Sequence, residues 1–373
     1  MKRILLIINT EFSAYQMLTH LKQYEKKYTV DLLFQNDYKN NIVEIFKPVL
    51  RKSFFLKSPP SPIFFSVRKF WNIVQANKNK KIYKKIQILL QKNSFNLKDY
   101  DEVFFSNEII SHYILYKSNA KKFFFAHSPM DVLLNRKKLN ILKKIKIYIE
   151  CFINNKLMNV YYKGIDNFLL KSIFHNFLKK KNIKQFLSIK LFKKVFSKYN
   201  KHNIKKIPNC NYNLINFNIA YYFYSYKYPD LIIKDYINFF FNNILNRVFS
   251  KNTKQDILLF KFRNNIPINF QINIIKLIKK KFPEKKIILV NKTFPELKTL
   301  ESVILNFKIK KYFTTFSSSI FLAKILNKKI LIYDYTFRAR EFWKKYWHLL
   351  KSKNNYNNYP YSVKLYKNLT YKL

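Results

Sequence analysis

Glycine is nearly missing from this chain: Gly164 stands alone among 373 residues, where an average protein carries roughly 7%. One glycine excludes both the G-x-G-x-x-G dinucleotide fingerprint and the P-loop, which need several for close backbone approach to phosphate. Cysteine is as scarce. Cys151 and Cys210 are isolated and no H-E-x-x-H occurs, so zinc is not expected and no metal ligands are assigned. Two lone thiols suit a reducing cytoplasm. No apolar run approaches the ~18 residues of a membrane span. The apolar start, Met1–Ile8, is too short for a signal h-region before it meets Asn9-Thr10-Glu11, so it reads as a first strand. Carboxylates are few: 20 Asp and Glu stand against 72 Lys and Arg, for a net charge of +52, and only eight of those cations are arginine.

Lysine, asparagine, isoleucine, phenylalanine and tyrosine fill the space. All five have A/T-rich codons, so much of the basicity reflects genome composition. A field this strong still favours an anionic partner: a nucleotide, an acidic polymer or the anionic inner face of a membrane. Aromatics make up 18% of the chain and can stack bases. No nucleic-acid motif such as an RNP signature accompanies them, so nucleic acid is not the expected partner.

The clearest order lies at residues 256–333. Apolar runs at 256–262, 286–291, 309–315 and 329–333 read as strands. Between them 269–281, a helix opened by Phe294-Pro295-Glu296-Leu297, and 317–326 read as helices. The same alternation starts the chain, with strands at 2–8, 28–35, 101–106 and 122–126 and helices at 11–24 and 107–116. Strands alternating with helices predict parallel sheets covered by helices. The expected fold is therefore α/β, two Rossmann-like domains with an inter-domain cleft: 1–247, 248–340, then a C-terminal helix and polar tail at 341–373.

Other stretches are less regular. Lys57-Ser-Pro-Pro-Ser-Pro62 reads as a loop and 66–91 as a long basic helix. Across 140–200 basic and apolar residues alternate at helical spacing, including Ile189, Phe192 and Phe196. Such a helix can lie on an anionic bilayer or be an ordinary surface helix. Residues 209–218 read as polar and irregular, and 230–249 as a helix preceding the second domain.

In parallel α/β sheets ligands bind beyond the carboxyl ends of the strands. Those positions hold Lys261-Phe262-Arg263, Asn291-Lys292-Thr293, Thr314–Ser319 and Asp334 in the second half, and Glu11, Asn107 and His127–Asp131 in the first. Serines at a helix start offer hydroxyls and unpaired N–H groups where the helix dipole is positive, which suits phosphate; one of them as an N-cap is the plainer reading.

Three segments resemble the bacterial sialyltransferases and polysialyltransferases of glycosyltransferase B fold. Leu258-Leu-Phe-Lys261-Phe-Arg263 is similar to the family's lysine and His-Pro strand, Thr293-Phe-Pro295-Glu296-Leu297 to its Pro-x-Glu segment, and Thr314-Thr-Phe-Ser317-Ser318-Ser319 to its serine motif. Phe125-Ala-His127-Ser-Pro-Met-Asp131 looks like a degenerate form of its acidic motif, with Ser128 for glycine and Val132 for tyrosine.

The resemblance implies inverting, metal-independent transfer of a sialic acid from its CMP ester to a cell-surface glycan or glycolipid, by a cytoplasmic enzyme peripheral to the inner membrane face and without a cofactor beyond the donor. It implies His127 or Asp131 as base, and Arg263 and Lys261 at the departing phosphate. Glu296 falls to the ribose hydroxyls, Thr315, Ser317, Ser318 and Ser319 to the donor phosphate, and Glu11 and Asn107 to the acceptor side. The family's histidine is replaced by Arg263-Asn264. A guanidinium neutralises a phosphate without donating a proton, so cation-assisted departure and loss of activity both stay open. Two other readings remain: a UDP- or GDP-sugar transferase for capsule or lipopolysaccharide, and a non-catalytic basic protein binding nucleic acid or acidic polysaccharide. Asp99-Tyr100-Asp101 mimics a D-x-D metal motif but precedes its strand, so it reads as structural.

Overall fold

The computed structural model describes residues 1–8, 10–24, 27–34, 39–55, 84, 87–106, 118–125, 169–171, 187–205, 210–217, 230–253, 255–262, 266–315, 319–345 and 369–372. The chain divides into two compact units, Met1–Phe196 and Ser197–Leu373. The expected boundary at 247/248 is thus corrected, because the strand at Tyr212–Phe217 and the helical stretch from Asp230 to Ser250 belong to the second unit.

The first unit holds β1 (Lys2–Ile8), β2 (Tyr28–Phe34), β3 (Leu50–Phe55), β4 (Glu102–Phe105), β5 (Lys121–Phe125) and β6 (Leu169–Lys171). They form one sheet in the order β3-β2-β1-β4-β5-β6, every pairing parallel. This is the doubly wound Rossmann order. Ile4–Ile8 are all buried, as expected of a strand covered on both faces. Helix α1 (Glu11–Leu21) follows β1 directly, its N-terminus capped by Thr10, whose side chain accepts from the Ser13 N–H. Helix α2 (Lys39–Phe46) leads into β3.

Part of the region read as helical, at 169–171, is strand β6. Further along, α3 (Ile189–Asn200) is strongly amphipathic. Its Phe192 and Phe196 are buried, with ring centroids 5.9 Å from Phe12 and 5.1 Å from Tyr15. The apolar face therefore lies against α1, and the ordinary-helix reading holds for this segment. Of the expected helix at 66–91, residues 66–83, 85 and 86 lie outside the described residues, as do 140–168 and 172–186 of the helical stretch expected at 140–200 and the whole of the helix expected at 107–116.

The second unit holds β7 (Tyr212–Phe217), β8 (Ile257–Phe262), β9 (Lys286–Leu289), β10 (Ile309–Thr314), β11 (Leu331–Asp334) and β12 (Tyr371–Lys372). Their order is β12-β11-β10-β7-β8-β9, again all parallel. Read from the other edge, it is the same winding, with β7 first and the reversal between β7 and β10. The segment expected to be polar and irregular is this sheet's central strand. Asn213 hid it from the apolar pattern, yet it is buried and satisfied: its amide donates to Asp256 Oδ2 at 3.1 Å and its Oδ1 accepts from the Lys311 N–H at 3.0 Å.

One face of this sheet carries a phenylalanine-rich core built from Phe217, Phe260, Phe262 and Phe313. Against it pack α4 (Asp230–Phe239), a π-helical stretch at Phe240–Leu245 and α5 (Asn246–Ser250), with Phe217 and Phe240 edge to face at 4.5 Å. The π stretch turns Phe240, Phe241, Ile244 and Leu245 inward. Helix α6 (Ile268–Lys281) joins the same core through Ile274, Ile275 and Ile278. Next come the single turn α7 (Val290–Thr293), α8 (Leu300–Asn306), α9 (Ser319–Leu326) and α10 (Thr336–Lys345). The helix expected to open at Phe294 instead starts at Leu300, behind a Thr299–Ser302 capping box.

Candidate functional site

Strand register assembles the site. Asn216 of β7 lies beside Lys261 of β8, and Ile215 pairs with Phe313, which brings Thr314 of β10 alongside Asn216. Thr314 in turn pairs with Asp334 of β11. Residues level with one another in a parallel sheet share a face, so Lys261, Asn216, Thr314 and Asp334 form one polar row across four strands at their carboxyl ends. The row spans the β7–β10 reversal, where doubly wound sheets open a ligand crevice. Asn216 Nδ2 donates to Thr314 Oγ1 at 3.2 Å, and the Tyr335 hydroxyl donates to the Asn216 carbonyl.

Lys261 is 3% exposed, Asn216 2% and Thr314 fully buried. Loss of water pulls the Lys261 ammonium down to about 8, partly opposed by the negative charge of Glu301. Glu301 stands in the first turn of α8. Burial pushes its carboxyl up, while its own N–H, the Thr299 hydroxyl and the Lys261 charge draw it back. Tyr312, two residues before Thr314 and on the same face, is wholly buried and shares a 2.7 Å hydrogen bond with Ser319 Oγ. Burial raises its phenol, which stays protonated at neutral pH.

The rim of the row is also fixed. Asn291 grips the end of β8 twice: Phe262 N–H donates to its Oδ1 at 3.0 Å and its Nδ2 donates to the Phe262 carbonyl at 3.2 Å. That holds the strand end carrying Lys261. Asp334 caps α10, accepting from Thr336 N at 2.8 Å and from the Thr336 hydroxyl. Burial raises the Asp334 carboxyl against those two bonds. The arrangement offers one buried cation, with amide and hydroxyl groups beside it, to an anionic, oxygen-rich ligand.

Among the sequence-predicted residues, Lys261 and Ser319 fall within this cluster. Thr315 follows at the end of β10, 6% exposed, its carbonyl accepting from the Thr314 hydroxyl at 2.9 Å. Glu296 is exposed in the turn before α8. Glu11 opens α1 just beyond β1, where an acidic side chain favours the positive helix end. His127, Asp131, Asn107, Arg263, Ser317 and Ser318 lie outside the described residues. Asp99 and Asp101 are engaged with Arg3: Asp99 at 3.3 Å from its guanidinium, Asp101 accepting from its N–H at 2.8 Å. Both serve the amino-end edge of the first sheet, as the structural reading of that motif expects. Sequence reasoning missed Asn216, Glu301 and Tyr312. Only Glu301, beside a Thr-x-x-Ser cap, carried a local signal, and that signal marks a helix start.

No protein-family model matches the chain, and no curated protein matches it in sequence. Solved structures do resemble it in shape. They include Staphylococcus aureus MnaA with UDP, at 11% identity over 90% of this chain and 79% of that one, TM-score 0.46. The Methanocaldococcus jannaschii UDP-GlcNAc 2-epimerase with UDP-GlcNAc and UDP matches at 11% identity over 89% and 83%, TM-score 0.42. The Escherichia coli ADP-heptose lipopolysaccharide heptosyltransferase II matches at 9% identity over 90% and 85%, TM-score 0.36. At such identities and scores these likenesses carry no argument about chemistry. The doubly wound fold of both units rests on their strand orders.

Proposed function

We propose that this chain is a glycosyltransferase whose second unit binds the nucleotide-sugar donor at the polar row of β8, β7 and β10. The observation that supports this best is a buried lysine beside neutral hydrogen-bonding groups astride the sheet reversal. A nucleotide phosphate is an anion with several acceptor oxygens, and such a row matches it.

The finer reading rests on the resemblance in sequence: inverting transfer of a sialic acid from its CMP ester to a glycan hydroxyl. In that step the acceptor oxygen bonds to the anomeric carbon and the carbon–phosphate-oxygen bond breaks. The electron pair leaves on the phosphate, and a base, His127 or Asp131, takes the hydroxyl proton. Lys261 and Arg263 offset the charge on the departing phosphate. A UDP- or GDP-sugar donor would use the same phosphate contacts, so the base of the nucleotide decides between them.

A thermal-shift titration with CMP, UDP, GDP and a short oligonucleotide tests the reading. At a hundredfold excess over Kd a ligand selective for the native state adds about 2.7 kcal/mol. CMP is expected to stabilise the wild type and not Lys261→Met. Selective stabilisation by UDP or GDP moves the donor class. A salt-sensitive effect of the oligonucleotide with none from any mononucleotide overturns the transferase reading in favour of polyanion binding.

A further inference from the structure

We propose that Asn291 is a positioning residue for the donor phosphate: its side-chain amide stands in for the missing end of β9 and so holds the last two residues of β8, Lys261 among them, level with the ligand crevice. This rests on the donor-site reading above and names what fixes the strand end that carries its lysine. The pairing of β8 with β9 stops at Phe260 and Leu289. On its other side β8 runs on to Phe262 and stays paired with β7, Lys261 beside Asn216 and Phe262 beside Phe217. Lys261 and Phe262 therefore overhang β9. Phe262 is 1% exposed, and a buried backbone N–H or C=O left without a partner is costly. Asn291 meets both groups: its Oδ1 accepts from the Phe262 N–H at 3.0 Å, and its Nδ2 donates to the Phe262 carbonyl at 3.2 Å.

The clamp sets direction as well as level. Successive side chains of a strand point to opposite faces, so with Phe260 and Phe262 in the phenylalanine-rich core Lys261 faces the polar row of Asn216 and Thr314. Asn291 sits in α7, the single turn entered directly from β9. That turn is itself moored: Val290 is fully buried, and its carbonyl accepts from the Phe294 N–H at 2.8 Å. A primary amide carries an acceptor and a donor side by side, the pair of groups that a neighbouring strand would present. Loosening the overhang frees the Lys261 side chain from its place in the row, and the phosphate loses a preorganised partner.

The experiment replaces Asn291 by leucine, which keeps the bulk and removes both bonds, and titrates CMP, UDP and GDP by calorimetry at a temperature where wild type and variant are both folded. The nucleotide that the wild type binds is expected to bind Asn291→Leu about tenfold more weakly, the scale of two lost neutral hydrogen bonds. Exchange of the Phe262 amide with solvent deuterium should quicken in the variant while that of Leu259 stays slow. A residue that serves stability alone would lower the unfolding midpoint and leave the Kd of the folded protein unchanged; that result overturns the proposal, as does an unaltered Phe262 exchange rate. Asn291→Ser is read in the same way if the leucine variant does not fold. Should the wild type bind none of the three nucleotides, the donor-site reading fails and takes the proposal with it, whereas wild-type binding with an unchanged Kd in the variant sinks the proposal alone.

Discussion

Folding draws the Lys261 ammonium into the sheet and pulls it down to about 8, while in the unfolded chain it keeps a lysine's ordinary value of about 10.4. Between those values the unfolded chain holds a proton that the folded one has released, so stability rises with pH across that window. The rise from this group is on the order of 3 kcal/mol. Lys261→Met should flatten that part of the stability curve, measured by chemical denaturation at about pH 7.5 and pH 10. An unchanged slope would place the ammonium in water. Lys261 was legible in sequence because it ends an apolar strand, where parallel sheets put their chemistry. Glu301 was not. It stands in the first turn of α8, and nothing local in Thr299-Leu-Glu-Ser302 announces that its charge acts on Lys261.

Among the elements, the mostly apolar strands β1 and β8 could be read with nearly their observed bounds, and so could β10, where Tyr312 and Phe313 follow two lysines. Short edge strands, β3, β6 and β12, could not. Their partners supply the pairing: β12 and β6 have only two and three residues, and Arg51-Lys52-Ser53 breaks the apolar pattern of β3. The central strand β7 was lost for another reason: Asn213 and Asn216 break its run in a chain where asparagine is common, and only their buried hydrogen bonds identify it as a strand. Helix α3 turns on a similar question of partners. Its lysines and phenylalanines fit a bilayer surface equally well by pattern, but Phe192 and Phe196 are covered by Phe12 and Tyr15. Phe192→Ala should therefore destabilise the first unit by about 3–5 kcal/mol and leave binding to anionic vesicles unchanged while folded. Lost vesicle binding with unaltered stability would put that face on the membrane instead. No helix among the described residues is long and apolar enough to cross a bilayer.

At the scale of the molecule, +52 formal charges repel one another wherever they are solvated, and six ion pairs among the described residues offset little of that. Raising ionic strength from about 0.02 to about 0.2 M shortens the screening length from roughly 20 to roughly 7 Å. The melting temperature should rise with it, and a fall would mean that attractive pairs dominate. The strand orders carry one more consequence. Every strand of the first sheet is contributed before Phe196, and every strand of the second after it. A ribosome therefore releases the whole first sheet before it has made any of the second. Synthesis from the amino end lets the earlier unit fold first, sparing the lysine-rich nascent chain from holding both halves open at once.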